Sequence, residues 1–207
     1  MSKKEFLDEK IIEMMNEVEQ PAAPVENDSL TEEANENTIY TGLKIKRNMV
    51  YFRPQLFADD KITIMIPKQF VLMSNADAKK KYNSEPGAKI IFTNEDGSIN
   101  VIGEYLDGPV TNNDMEPIRD HVFGMMRRVN PGIKKHSDGI ETVSEKTVAY
   151  VEFTNLAMDG KLYNLLFFAE IAQKILMMSF NCSTKNMNYW QKAAFSMMQS
   201  IAFVEGE

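Results

Sequence analysis

The chain has 207 residues, 43% of them hydrophobic and 26% charged. This is ordinary globular composition: it excludes disorder throughout and gives enough length for one domain with a real core. Its single cysteine, Cys182, excludes an intramolecular disulfide and suits a reducing compartment, so a cytoplasmic setting is expected.

Net charge is −7. Positions 1–40 hold 11 acidic and 3 basic residues, which leaves 19 acidic and 20 basic for the remainder. The acidity therefore belongs to the N-terminal stretch and the rest is almost neutral. No basic face stands out in the linear sequence, and nucleic acid is not expected as a partner. Lys3 and Lys4 resemble the start of a signal peptide, but acidic residues follow in place of an apolar core. The longest apolar stretch, Leu165 to Ile171, contains Glu170 and is too short to span a bilayer.

Positions 1–19 carry a helical pattern. Leu7, Ile11, Met14 and Val18 share one face, the natural place for a protein partner to dock. Gln20-Pro21-Ala22-Ala23-Pro24 stops that helix, and the polar run that follows reads as a linker. Positions 1–40 are thus read as an acidic, flexible, partly helical segment, and 41–207 as a single α+β domain.

Met49 to Phe52 reads as a short strand. From Lys61 to Pro67 the residues alternate, with Ile62, Ile64 and Ile66 on one side, after a turn at Asp59-Asp60. Asn75 to Tyr82 suits a short helix. Lys89 to Thr93 and Ile99 to Tyr105 suit a hairpin turning at Asn94 to Ser98. Met115, Ile118, Val122, Met125 and Val129 predict a helix, capped by Asn113 or Asp114 and closed by Asn130-Pro131-Gly132. Arg127 and Arg128 lie at its end, where the dipole favours cations. Ile133 to Val143 is polar and interrupted by Asp138-Gly139. Thr147 to Asn155, Leu162 to Glu170 and Lys174 to Cys182 follow as antiparallel strands, the last two apolar on both faces and so requiring cover on both. A helix over Asn186 to Phe203 closes the chain, with Met187, Trp190, Ala194, Met197 and Ile201 as its stripe. The expected fold is an antiparallel β-sheet flanked by helices, an α/β/α sandwich.

This order of elements, with a strand running into Pro67 and then Phe70, resembles the PsbP-like superfamily. That group includes DcrB-type bacterial proteins, the Ran-binding Mog protein and the Eag chaperones of type VI secretion. The resemblance covers about Met49 to Phe203, leaves out the N-terminal segment and transfers no functional residue. It implies a binding or assembly module of bacterial type rather than an enzyme.

The chemistry-bearing residues are sparse. His121 and His136 have no second ligand at metal spacing, and Cys182 has no base beside it. Asp96-Gly97, Asp138-Gly139 and Asp159-Gly160 are read as tight turns, since none carries the oxygen series of a calcium loop. No phosphate loop and no Gly-x-Ser-x-Gly occurs. The expectation is no catalytic residue, no metal and no cofactor. The methionine pairs Met125-Met126, Met177-Met178 and Met197-Met198 are read as core, with an adaptable partner groove as the alternative. Lys79-Lys80-Lys81 is read as a solvated helix end. The leading functional expectation is a non-enzymatic protein-binding module, adaptor or chaperone-like; the alternative is a small-ligand binder with a pocket between sheet and helix.

Overall fold

A computed structural model describes residues 37–57, 61–82, 89–106, 109–157 and 160–204. The docking positions Leu7, Ile11, Met14 and Val18, the Asp59-Asp60 turn and Asp159 lie outside the described residues. The strands are β1 (Leu43–Ile45), β2 (Asn48–Val50), β3 (Phe52–Phe57), β4 (Ile62–Pro67), β5 (Val71–Leu72), β6 (Ile90–Thr93), β7 (Ile99–Leu106), β8 (Lys134–Val143), β9 (Lys146–Ala157), β10 (Gly160–Ile171), β11 (Lys174–Ser183) and β12 (Ala202–Phe203). The helices are α1 (Asn75–Tyr82), α2 (Met115–Val129) and α3 (Met187–Gln199).

Seven strands make one antiparallel sheet in the order β5-β6-β7-β11-β10-β9-β8. Both of its faces are apolar because β9, β10 and β11 alternate two hydrophobic sets. Tyr163, Leu165, Phe167, Leu176, Met178 and Phe180 point into the main core, shared with α3 and the strands β1 to β4. Leu166, Phe168, Ile175, Ala149, Val151 and Phe153 point the other way, into a second core under α2. Met177 and Met178 fall on opposite faces, as strand geometry requires. Ala78 of α1 packs on Ile91 and Ile102 of β6 and β7. Helices therefore flank the sheet on both sides.

The alternating strand β4 buries Ile62, Ile64 and Ile66 as its pattern predicts. It does not join the main sheet. It forms a separate three-stranded sheet, β12-β4-β3, laid over the core. The closing helix is correspondingly shorter than its sequence pattern: α3 ends at Gln199, and Ala202 and Phe203 pair with Thr63 and Ile62. Two further expectations are corrected. The face of α2 is rotated, with Met115, Arg119 and Phe123 buried while Met125 and Val129 are 45% and 87% exposed. The 3-4-3-4 spacing drifts around the helix, and Arg119 holds the buried stripe because it donates to the Gly139 carbonyl and lies 2.8 Å from Asp120. Neither Asn113 nor Asp114 caps α2 through its side chain; Asp114 accepts from Thr111 one turn earlier.

Asp138-Gly139 is not a turn. Both residues lie inside β8, opposite Val151 and Tyr150. Glycine is needed there for space: a Cβ would sit 2.8 Å from the Tyr150 hydroxyl, and Tyr150 is held edge-on by Phe195. Gly139→Ala should cost about 1–3 kcal/mol in a urea titration, the usual range for overpacking.

The real turns are tighter than the sequence suggests. β8–β9 and β10–β11 are joined by two-residue loops, Ser144-Glu145 and Ala172-Gln173, with all four residues at positive φ. Such loops favour Asn-Gly, because a Cβ is strained in the left-handed region. Replacing Ala172-Gln173 by Asn-Gly should raise stability by about 1 kcal/mol, read as a higher thermal midpoint.

Candidate functional site

The polar centres within the fold are hydrogen-bonded to completion or nearly so. Glu152 on β9 is 3% exposed. It accepts from Tyr163 (2.9 Å), Ser137 (2.7 Å) and Gln191, three neutral donors that converge from β10, β8 and α3. Burial, with the charge of Glu152, pushes the Tyr163 hydroxyl far up. On the opposite face, Thr93, Asn100, Asn181 and Asn164 stand directly opposite one another across β6, β7, β11 and β10. Thr93 donates to Asn100 (2.8 Å), and Asn100 donates to Asn181 (2.9 Å). The Tyr82 hydroxyl approaches this row at Asn181 without closing a hydrogen bond, and burial pushes it up to about 12. Sequence reading missed both groups, since only strand register brings them together. They tie elements to one another and present no nucleophile to solvent.

Cys182 is fully buried, and burial pushes its thiol up to about 12, which leaves it neutral and inert. His121 and His136 are exposed, and among the described residues His136 meets the Thr154 hydroxyl at 3.2 Å. Among the described residues no group of His, Cys, Asp and Glu could hold a metal.

Carboxylates outside the core have a different role. Hydrogen bonds to Ser98 hold Asp96 below its usual range, and those to Thr111 do the same for Asp114. The Lys135 ammonium holds Asp138 low. At Glu170 burial works upward, but Lys146 and the Gln173 amide outweigh it and the net direction is down. A depressed folded pKa gives stability that is present above the unfolded value and is lost as pH falls through the folded one. Stability should therefore decline below about pH 4, the ordinary carboxylate range, with the urea midpoint at successive pH values as the measurement.

The outward surface formed by the β1–β2 hairpin, the small sheet and α3 is where the chain departs from a uniform surface. Between residues 37 and 76 the only acids are Asp59 and Asp60, and between 171 and 204 there is none. All described acids sit on the large sheet, α1, α2 or their connections. In contrast, Lys44, Lys46, Arg47, Lys61, Lys68, Lys185 and Lys192 are exposed on this layer. Among the described residues the rest of the domain carries 12 acids and 12 bases, so the near-neutral total conceals one layer with a cationic excess beside an evenly balanced remainder. This cationic excess was not visible in the linear sequence: its members come from both ends of the domain sequence, which the pairing of β12 with β4 brings into one layer.

Exposed aromatic and thioether groups lie among these cations. Tyr40 is 71% exposed, Tyr51 53%, Tyr189 49% and Met49 46%. Local structure holds them in place. Lys44 and Met49 are cross-strand partners. Gly42, at φ +114°, lets Tyr51 and Met49 close over its α-carbon, where a Cβ would lie 3.1–3.2 Å from each. The Lys68 ammonium sits 5.9 Å from the Tyr51 ring centre, and its backbone N–H donates to the Tyr51 carbonyl (2.8 Å). Lys46, at φ 57° in the hairpin turn, reaches to 5.2 Å from the ring of Tyr189 on the first turn of α3. A depression of about 540 Å³ opens between Lys46, Arg47, Asn48 and Tyr189. Exposed cations and exposed rings thus share this surface, with Lys46 and Lys68 each held against a ring.

No protein-family model matches the sequence, and no curated protein matches it either. Solved structures do match. Cyanobacterial PsbP from Synechocystis sp. PCC 6803 aligns at a TM-score of 0.56 and 10% identity, over 74% of this chain and 92% of the other. LpqN of Mycobacterium tuberculosis, described as involved in cell envelope biogenesis, aligns at 0.50 and 12% identity, over 81% and 98%. At such identities the likeness concerns fold alone, and the chain has the PsbP-like α+β fold.

Proposed function

We propose that this protein is a non-enzymatic protein-binding module that receives an acidic segment of another protein on the hairpin–α3 face. The observation that carries the reading is the charge segregation: seven exposed cations and several exposed tyrosines share a layer with no described acid. Complementary charge steers encounter and selects against wrong partners, while rigid aromatic rings supply contact area at small entropic cost. Lys46 and Arg47 at the hairpin tip would pair with carboxylates, with Tyr189 and Tyr51 packing beside them. The inert Cys182 and the isolated histidines add support for a binding role, and a cytoplasmic setting remains the accompanying expectation.

The test is affinity capture from the native lysate with the full chain and with Lys46→Glu/Arg47→Glu. A specific partner bearing an acidic surface, retained by the native chain and lost by the variant, is the expected result. Retention of the same partner by both chains would overturn the assignment of this face. The depression of about 540 Å³ favours one second reading, a small anionic ligand held by Lys46, Arg47 and Asn48. Thermal shift against a small-ligand library separates the two, since a ligand that binds only the native state raises the midpoint.

A further inference from the structure

We infer that the free edge of β8 is a site of self-association, where a second copy of this chain pairs antiparallel about a two-fold axis. β8 ends the seven-stranded sheet and pairs only with β9 among the described residues. Other edges are blunted: β5 and β12 have two residues each, and β3 carries Pro54. β8 has ten residues and no proline, and most of them are exposed. Its loop to β9 has two residues, so the closing pair Val143 and Lys146 exchanges hydrogen bonds. Alternation then turns the backbone N–H and C=O groups of Thr142, Ile140 and Asp138 to the open side. Unpaired backbone of that length is a template for another strand.

Charge identifies the occupant. Edges are commonly protected by charge of one sign, which repels a copy. β8 is instead divided, with Lys134 and Lys135 in its first half and Asp138, Glu141 and the turn residue Glu145 after them. Antiparallel two-fold pairing sets the basic half of each copy against the acidic half of the other, whereas parallel pairing sets like against like. Asp138 is committed within its own chain to Lys135 (2.8 Å) and Arg119 (3.7 Å). Lys134, Glu141 and Glu145 carry no ion pair among the described residues; Glu141 accepts only from the neutral Gln199 amide (2.9 Å). These three charges remain for a partner. The bulge between Lys135 and Ser137 limits the regular ladder to the stretch after it.

Sedimentation equilibrium of the full chain over a wide concentration range tests this. The native chain should dimerise reversibly. Lys134→Glu/Lys135→Glu and Glu141→Lys/Glu145→Lys should each weaken the dimer at least about tenfold, and an equimolar mixture of the two should restore it. The mixture guards against a variant that merely misfolds, which circular dichroism checks independently. A native chain that stays monomeric throughout would overturn the inference, as would a dimer unmoved by either reversal, or two dissociated variants whose mixture fails to reassociate.

Discussion

Trp190→Ala should lower stability by about 3–5 kcal/mol, the range for truncating a large buried aromatic. That approaches the whole folding free energy of many domains of this size. Trp190 is 6% exposed and stands between two rings, with centroids 6.1 Å from Phe70 and 5.9 Å from Phe180. Phe70 belongs to the segment after the small sheet, Phe180 to the centre of the large sheet, and Trp190 itself to α3. One side chain thus joins three elements that are remote in sequence. Its removal leaves a cavity that Ala193 and Ala194, both already buried, cannot fill. Trp190→Phe keeps a ring in the slot and should lose less than half as much. The midpoint of urea unfolding, followed by circular dichroism, measures both. A loss below about 1 kcal/mol for the alanine variant would mean that the layers are held elsewhere.

Lys46→Glu/Arg47→Glu should weaken binding of an acidic peptide about tenfold to a hundredfold while leaving the unfolding midpoint nearly unchanged. Both residues are exposed in the hairpin turn. Surface charges removed from core contacts change stability by no more than about 0.5 kcal/mol. Binding responds more strongly, because reversal converts two attractions into two repulsions at the hairpin tip. The effect should shrink at high salt, where exposed charges are screened. Glu141→Lys/Glu145→Lys, on the far edge of the large sheet, is the matched control: it changes charge by the same amount in the opposite sense and should not impair peptide binding.

The fold was largely readable in the sequence wherever periodicity was strict. β4 declares itself by Ile62, Ile64 and Ile66, and α1 by its composition. β10 and β11 are apolar on both faces because they lie at the centre of the sheet. Pattern misleads where tertiary contact overrides it. The turn chemistry of Asp138-Gly139 is spent on making room for Tyr150. The apolar Val129 is left in solvent while the charged Arg119 is buried at 4% exposure, since four polar partners wait for its guanidinium. Helical residues after Gln199 turn into β12 because β4 offers an edge. The candidate face was not readable at all. Its cations are spread from Lys44 to Lys192, and the pairing of β12 with β4 brings the two ends of the domain sequence into one layer. Glu152 and its three donors were hidden for the same reason: strand register, not spacing, decides which residues meet.

NMR mapping of the bound surface decides whether the hairpin–α3 face receives an acidic segment. The amide spectrum of the full chain would be titrated with a glutamate-rich peptide containing tyrosine. Perturbations confined to Lys44–Tyr51, Lys68 and Lys185–Lys192, and lost in Lys46→Glu/Arg47→Glu, are expected. Perturbations centred on α2, or on the outer face of the large sheet, would contradict it.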